Sequence, residues 1–211
     1  MERHRIGIVI PALNEAATIG WVVSNVLPYG VPIVVDDGSR DETGEAASSL
    51  GASVVRHPAN RGYDQALNSG FSHAEALGCE YVITMDADGQ HDPTILHEFI
   101  QALDNGADVV IGVRDRHQRL AEYIFAWVAA KKWGISDPLC GMKAYRINIY
   151  KELGHFDSYD SIGTELALYA AKNGKHIAQL PVKTRERIDA PRFGRRFSAN
   201  RRILYALWAS L

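Results

Sequence analysis

Acidic side chains in this chain follow directly on short apolar runs. Asp36-Asp37 follows Ile33-Val-Val35, and Asp86-Ala-Asp88-Gly-Gln90 follows Tyr81-Val-Ile-Thr-Met85. A third polar segment, Pro11-Ala-Leu-Asn-Glu15, follows Ile6-Gly-Ile-Val-Ile10. Two aspartates one residue apart, with an amide two residues on, form an all-oxygen donor set suited to a hard divalent ion, Mg²⁺ or Mn²⁺. Such a site uses one or two carboxylates and leaves room for substrate phosphates. Carboxylates gathered at one place repel unless a cation lies among them. Asp-X-Asp is also common in turns, and Asp36 has a second reading as a turn cap satisfied by nearby N–H groups.

What gathers these segments is the order of elements. Apolar runs at Ile6–Ile10, Ile33–Val35, Ser53–Val55, Tyr81–Met85 and Asp108–Ile111 read as strands. Between them, Asn14–Val26, Asp41–Leu50, Tyr63–Leu77 and Pro93–Leu103 read as helices, with Asp41 as an N-cap, Gly51 as a stop and Pro93 at a first helical position. Strands alternating with helices of this length imply βαβ units and a mostly parallel sheet with helices on both faces, an α/β Rossmann-like architecture. Ligands of such sheets bind beyond the carboxyl ends of the strands, which is where all three polar segments fall. After Arg114 the rhythm is irregular: a helix over Gln118–Trp133, a strand over Gly141–Ile147, a helix over Ser161–Lys172 and a strand over His176–Arg187 broken by Pro181. Residues 1–211 form one domain on this reading. Its parts are a nucleotide-binding first half at 6–114, a second half at 115–190 that would supply the substrate side, and a basic amphipathic segment at 191–211.

Composition narrows the class. With 46% apolar and 23% charged residues, the 211-residue chain is ordinary for a soluble globular domain. Two cysteines, Cys79 and Cys140, exclude a disulfide scaffold and a cysteine zinc site, and point to a reducing compartment. No apolar run reaches 18 residues, and no secretory leader precedes the first strand, so the expectation is a cytoplasmic chain. Net charge is −2, but residues 183–211 carry eight basic and two acidic side chains on an otherwise acidic body. That end calls for an anionic partner. Nucleic acid does not fit an acidic rim. Neither Gly-X-Gly-X-X-Gly nor a P-loop follows the first strand, which removes dinucleotide and P-loop nucleotide binding.

Six segments in order carry a resemblance: Ile8-Val-Ile-Pro-Ala-Leu-Asn-Glu15, Val34-Val-Asp-Asp-Gly-Ser39, Asn60-Arg-Gly62, Met85-Asp-Ala-Asp-Gly-Gln-His91, Gly112-Val-Arg114 and Asp137-Pro-Leu-Cys-Gly-Met-Lys143. They are similar to the family 2 glycosyltransferases of the GT-A fold, nearest in look to the polyprenyl-phosphate sugar transferases and their dolichol-phosphate mannose synthase branch. The resemblance implies that Pro11, Ala12, Leu13 and Glu15 hold a nucleotide base and ribose, with Val35, Asp36 and Asp37 as the second wall. It implies Asp86, Asp88 and Gln90 as metal ligands, with Ala87 between them at the cofactor. Arg114, Arg187 and Arg192 match positions at donor or acceptor phosphates, and Asp137 an acceptor-side carboxylate. Asp137, Arg114 and Asp88 are thus the residues implied for the chemical step. The chain departs from the pattern at Asp64 and Gln65, bulkier and polar where small residues are usual. Cys140 reads as a small buried residue.

The reaction so implied moves a sugar, with inversion, from a nucleotide diphosphate sugar (GDP- or UDP-linked) to a polyprenyl phosphate, dolichyl or undecaprenyl. A saccharide hydroxyl acceptor, for which Asp137 would be the base, and a non-catalytic nucleotide-sugar-binding protein are the alternatives. A face of Ile203, Leu204, Leu207, Trp208 and Leu211 flanked by Arg195, Arg196, Arg201 and Arg202 reads as a helix lying in a membrane interface or docking on the core. Tyr123, Ile124, Trp127 and Val128 beside Lys131 and Lys132 form a second such stretch. Together they predict peripheral association with the inner face of a membrane.

Overall fold

A computed structural model describes residues 5–115, 119–183 and 196–211, the side chains of 196–198 excepted. Its sheet has seven strands in the order β3-β2-β1-β4-β6-β5-β7. They are β1 Ile6–Ala12, β2 Val31–Asp36, β3 Ser53–Arg56, β4 Tyr81–Thr84, β5 Val109–Arg114, β6 Lys143–Arg146 and β7 Ile177–Val182. All neighbours run parallel except β6, which is antiparallel to both β4 and β5. The helices are α1 Ala16–Val26, α2 Thr43–Ser49, α3 Tyr63–Ala76, α4 Leu96–Asp104, α5 Leu120–Trp133, α6 Ile147–Leu153, α7 Glu165–Lys172 and α8 Arg196–Ser210.

Strand alternation divides the core in two. Along β1, Val9 faces one side with Phe71, Phe125, Tyr145 and Phe156, residues of α3, α5, β6 and the loop before α7. Ile6, Ile8 and Ile10 face the other, against Ile19, Val22 and Val26 of α1 and Phe99 and Leu103 of α4. This period of two is what a strand covered by helices on both faces requires. One contact sets how near α3 lies to the sheet: a Cβ added at Gly70 would come within 2.3 Å of Val9 Cγ1. Only glycine allows that approach.

Five strands and four helices fall where the pattern of the first half places them. Pro93 opens a 3-10 turn, Pro93–Ile95, rather than α4 itself, and the Asp92 side chain accepts from Thr94 N–H to cap it. The second half differs more. α6 was not legible, because its seven residues follow β6 without a break. β7 runs through Pro181 instead of breaking there, since β7 lies at the sheet's edge and proline sacrifices no ladder bond on its open side. Among the described residues no helix is long and apolar enough to cross a membrane.

Candidate active site

The chain runs from β1 to β2 and β3 on one side and returns to β4 on the other, so the strand order reverses at β1. The carboxyl edge at such a reversal is where an open α/β sheet leaves a crevice. Ala12 pairs with Asp36 in register, Asp37 N–H donates to Ala12 O at 2.9 Å, and Met85 N–H donates to Val9 O at 3.0 Å. The three polar segments therefore start from one rim. The loop after β1 is knitted to the turn after β2: Asn14 N–H donates to Ser39 Oγ at 2.9 Å, Arg40 N–H to Asn14 Oδ1 at 2.8 Å, and Glu15 N–H to Thr43 Oγ1 at 2.8 Å. Asn14 takes a left-handed backbone, φ 52°, which asparagine tolerates better than most residues.

Around this rim the residues divide into those turned inward and those available to a ligand. Pro11 and Leu13 are half-buried, while Ala12 and Glu15 are buried. Val35 is fully buried in the core and Ala87 nearly so. Asp37 is buried and committed to the fold. Its Oδ1 lies 2.6 Å from His57 Nδ1 and accepts from Arg61 N–H at 2.9 Å, and its Oδ2 accepts from Gly62 N–H at 2.8 Å. His57 Nε2 reaches Ser69 Oγ at 2.9 Å. This Ser–His–Asp line is structural: Ser69 lies inside α3, whose backbone N–H groups are engaged in the helix and cannot serve an oxyanion. Asp36 accepts from Ser39 N–H at 2.9 Å, the turn-cap geometry that its position allowed. Asp88 accepts from Gln90 N–H at 3.1 Å.

Asp86, like Asp88 but unlike buried Glu15, Asp36 and Asp37, is half-buried, with 33% of its side chain exposed. Its Oδ2 lies 3.3 Å from His91 Nε2 and its Oδ1 3.5 Å from the Tyr63 hydroxyl. Burial works against its charge, but the His91 hydrogen bond, with help from Lys143 and Arg114, outweighs it and holds the carboxyl below its ordinary value. An ionised, part-exposed carboxylate beside Asp88 and Gln90, both also half-buried, gives an oxygen donor set of the kind a hard divalent ion takes.

Arg114 and Asp137 are brought together. Arg114 Nε and Nη2 donate to Asp137 Oδ2 and Oδ1 at 2.7 and 2.8 Å, and Arg114 N–H adds a third bond to Oδ2 at 3.1 Å. Asp137 is 1% exposed. Burial alone would lower the guanidinium's affinity for its proton, but Asp137 more than compensates. Buried Glu122 joins them, 3.6 Å from Arg114 Nη2 and 3.0 Å from Arg119 Nη1. Both oxygens of Asp137 thus accept from Arg114. Arg187 and Arg192 lie outside the described residues.

Residues 7–154 match the model of glycosyl transferase family 2. The chain belongs to that family. As a family 2 glycosyltransferase it is 31% identical over 202 residues to an uncharacterized protein of Methanocaldococcus jannaschii, covering 87% of this chain and 83% of that one. It is 29% identical over 209 residues to polyprenol monophosphomannose synthase of Mycolicibacterium smegmatis, covering 87% and 78%. It is 30% identical over 203 residues to undecaprenyl-phosphate 4-deoxy-4-formamido-L-arabinose transferase of Edwardsiella ictaluri, of which it spans 60%. Its fold matches that of glucosyl-3-phosphoglycerate synthase from Mycobacterium tuberculosis, solved with Mn²⁺ and uridine-diphosphate-glucose, at a TM-score of 0.79 and 24% identity over 97% of this chain and 78% of that one. The GT-A fold expected from the motifs is the fold observed.

The glycosyltransferase also contains a cluster that reading along the chain missed. Asp64, Asp157 and Asp160 bring carboxylate oxygens within 4.8 Å of one another. Their oxygens serve a loop: Asp64 accepts from Gly163 and Ile162 N–H at 2.6 and 3.3 Å, and Asp157 from Asp160 and Ser161 N–H at 2.8 Å each. This loop holds left-handed backbone at Asp160, Ile162 and Gly163. Lys143, itself buried, donates from Nζ to Gly163 O at 3.1 Å and to Cys140 O at 2.6 Å, tying the loop to the site. The only signal for it in the sequence was the departure at Asp64.

Burial first, then the charge of Asp157, push the Asp64 carboxyl from its ordinary 3.8 up to about 6, against the two N–H donors. A carboxyl raised on folding contributes stability that is full below its unfolded value and lost as pH rises through its folded one. Urea unfolding at pH 5 and pH 7 should therefore show the difference between wild type and Asp64→Asn moving in favour of wild type at the lower pH, by about 1 kcal/mol. A difference that stays constant over this range would contradict the assignment.

Proposed function

We propose that this glycosyltransferase moves a sugar, with inversion, from a nucleotide diphosphate sugar to a polyprenyl phosphate. Asp86, Asp88 and Gln90 would hold Mg²⁺ or Mn²⁺. The observation that carries the choice of acceptor is the closed pair of Arg114 and Asp137. A sugar hydroxyl must lose a proton as it attacks, and a base poised for it needs a carboxylate oxygen within reach. Asp137 spends both oxygens on Arg114. A phosphate monoester is already ionised at neutral pH and needs no base. Its oxygen attacks the anomeric carbon from the face opposite the nucleotide, the carbon–oxygen bond to the diphosphate breaks, and the electron pair leaves with the diphosphate. A divalent ion, when bound, supplies positive charge against those diphosphate oxygens. Pro11, Leu13 and the backbone of Val35 to Asp37 would orient the nucleotide, and Asp36 its ribose. Arg114, held rigid by Asp137 and Glu122, would add fixed positive charge at the acceptor side. The relatives named as polyprenol and undecaprenyl-phosphate transferases support the same acceptor class.

The surface supports it as well. Eleven large apolar side chains are exposed among the described residues; seven lie on two helices that pack together, α5 and α8, and an eighth, Leu211, directly follows α8. Leu120, Tyr123, Ile124 and Trp127 make one stripe at helical spacing, and Leu204, Tyr205, Trp208 and Leu211 the other. The face expected of the last helix is divided: Ile203 and Leu207 are buried in the core, while Leu204, Trp208 and Leu211 face outward. Exposed Lys131, Lys132, Arg201 and Arg202 flank the stripes. Two tryptophans exposed by 66% and 71%, bordered by cations, suit an anionic membrane interface. Glu122, in the first turn of α5, touches Arg114, so this surface begins next to the acceptor side of the site. A peripheral position on the inner face of a membrane follows.

Incubation with a panel of GDP- and UDP-sugars, Mg²⁺ or Mn²⁺, and undecaprenyl or dolichyl phosphate should give a polyprenyl-phosphate sugar by mass, and Asp88→Ala should lower the rate at least 100-fold. Transfer to phosphoglycerate or a free sugar, with none to the lipid, would favour the other acceptor class. In co-sedimentation with vesicles containing anionic lipid, Trp127→Glu with Trp208→Glu should remove most binding, and salt should weaken binding of wild type. Wild-type protein that ignores such vesicles would contradict the peripheral reading.

A further inference from the structure

The Asp86 carboxylate is confined from three sides. His91 Nε2 lies 3.3 Å from Oδ2, and the Tyr63 hydroxyl lies 3.5 Å from Oδ1, at the outer limit of a hydrogen bond. The backbone of Gly141 closes the third side, where an added Cβ would sit 2.4 Å from Oδ2. Of these, the His91 contact is the shorter of the two side-chain hydrogen bonds, though a long one. A carboxylate only accepts, so Nε2 carries a hydrogen in this contact and Nδ1 is the ring nitrogen turned away from Asp86. That Nδ1 is buried with no hydrogen-bond partner, and His91 is 3% exposed. A polar atom buried without a partner destabilises a fold, and an apolar side chain of similar size would avoid the cost. Stability therefore does not account for a histidine here, whereas the contact on Asp86 does.

We propose that His91 is a positioning residue for cation binding: by donating to Oδ2 of Asp86 it fixes the plane of that carboxylate, so that the donor oxygen is set before the cation and the diphosphate arrive. The inference rests on Asp86 and Asp88 being cation ligands. Hydrogen-bonded partners of ligating groups orient them in this way, and losing one weakens metal affinity by roughly 10–100-fold. Gly141 serves the same end by leaving the space that the fixed carboxylate fills.

The test is the affinity of the full chain for Mn²⁺ in the presence of UDP, read from the electron paramagnetic resonance of free Mn²⁺, alongside thermal melting without metal. His91→Phe should bind Mn²⁺ at least 10-fold more weakly while melting no lower than wild type. His91→Gln, whose amide can donate to the same oxygen, should recover most of the affinity. Gly141→Ala, which crowds Oδ2 from the other side, should weaken binding similarly and gives the answer if His91→Phe does not fold. Affinity within twofold of wild type in His91→Phe or, should that variant not fold, in Gly141→Ala overturns the proposal, as does a loss that His91→Gln fails to restore. Failure of wild type itself to take up Mn²⁺ overturns the cation reading and this inference together, so the two failures are told apart by the wild-type measurement.

Discussion

Like charges brought to one edge of a sheet must each be compensated, and this requirement organises the molecule. Parallel strands carry Asp36, Asp37, Asp86 and Asp88 to the same rim because their carboxyl ends coincide. Two carboxylates near each other in a medium less polar than water cannot both stay ionised without partners. The fold answers with different partners for different acids. Asp37 takes His57 and two backbone N–H groups, Asp36 a turn N–H, and Asp137 an arginine. Asp86 receives a histidine hydrogen bond and the more distant charges of Lys143 and Arg114, yet keeps a third of its side chain exposed. Asp86 and Asp88 are the rim acids left part-exposed, where Glu15, Asp36 and Asp37 are buried.

The same logic explains the two halves. In the first half, β1, β2 and β4 deliver the polar segments to the rim. Cationic side chains near that rim come from the end of this half and from the first strand after it. Arg114 ends β5, and Lys143 opens β6, the antiparallel strand inserted beside β4. Burying an ion pair such as Arg114–Asp137 gives little net stability, while removing one partner leaves an uncompensated charge, so its value lies in holding a cation rigid near the crevice. The apolar stripes lie on α5 and α8, which pack together, and Glu122 in the first turn of α5 meets Arg114, so the surface proposed for the membrane is continuous with the proposed site.

Much of this was legible in the sequence where the signal is local. β1, β2 and β4 are short apolar runs, each ending in polar residues, and alternation with helices fixes their common direction. Partners distant in sequence were not legible. His57 meets Asp37 across 20 residues, Arg114 meets Asp137 across 23, and Asp64 meets Gly163 across 99. Nothing in the spacing of aspartates says which will be spent on backbone N–H groups, so Asp37 and Asp86 looked alike. The last helix shows the same limit. Its periodicity marks an apolar face, but whether Ile203 and Trp208 meet the core or solvent depends on where α5 lies.

On the function proposed above, the exposed oxygens of Asp86 and Asp88 hold a divalent cation with a nucleotide diphosphate. Anomalous diffraction from crystals of the chain soaked with Mn²⁺ and UDP tests it directly. The account predicts a manganese peak within about 2–2.5 Å of carboxylate oxygens of Asp86 and Asp88, beside the diphosphate. A peak at Asp64, Asp157 and Asp160 with none at the rim, or UDP bound with no metal near Asp86, would contradict it.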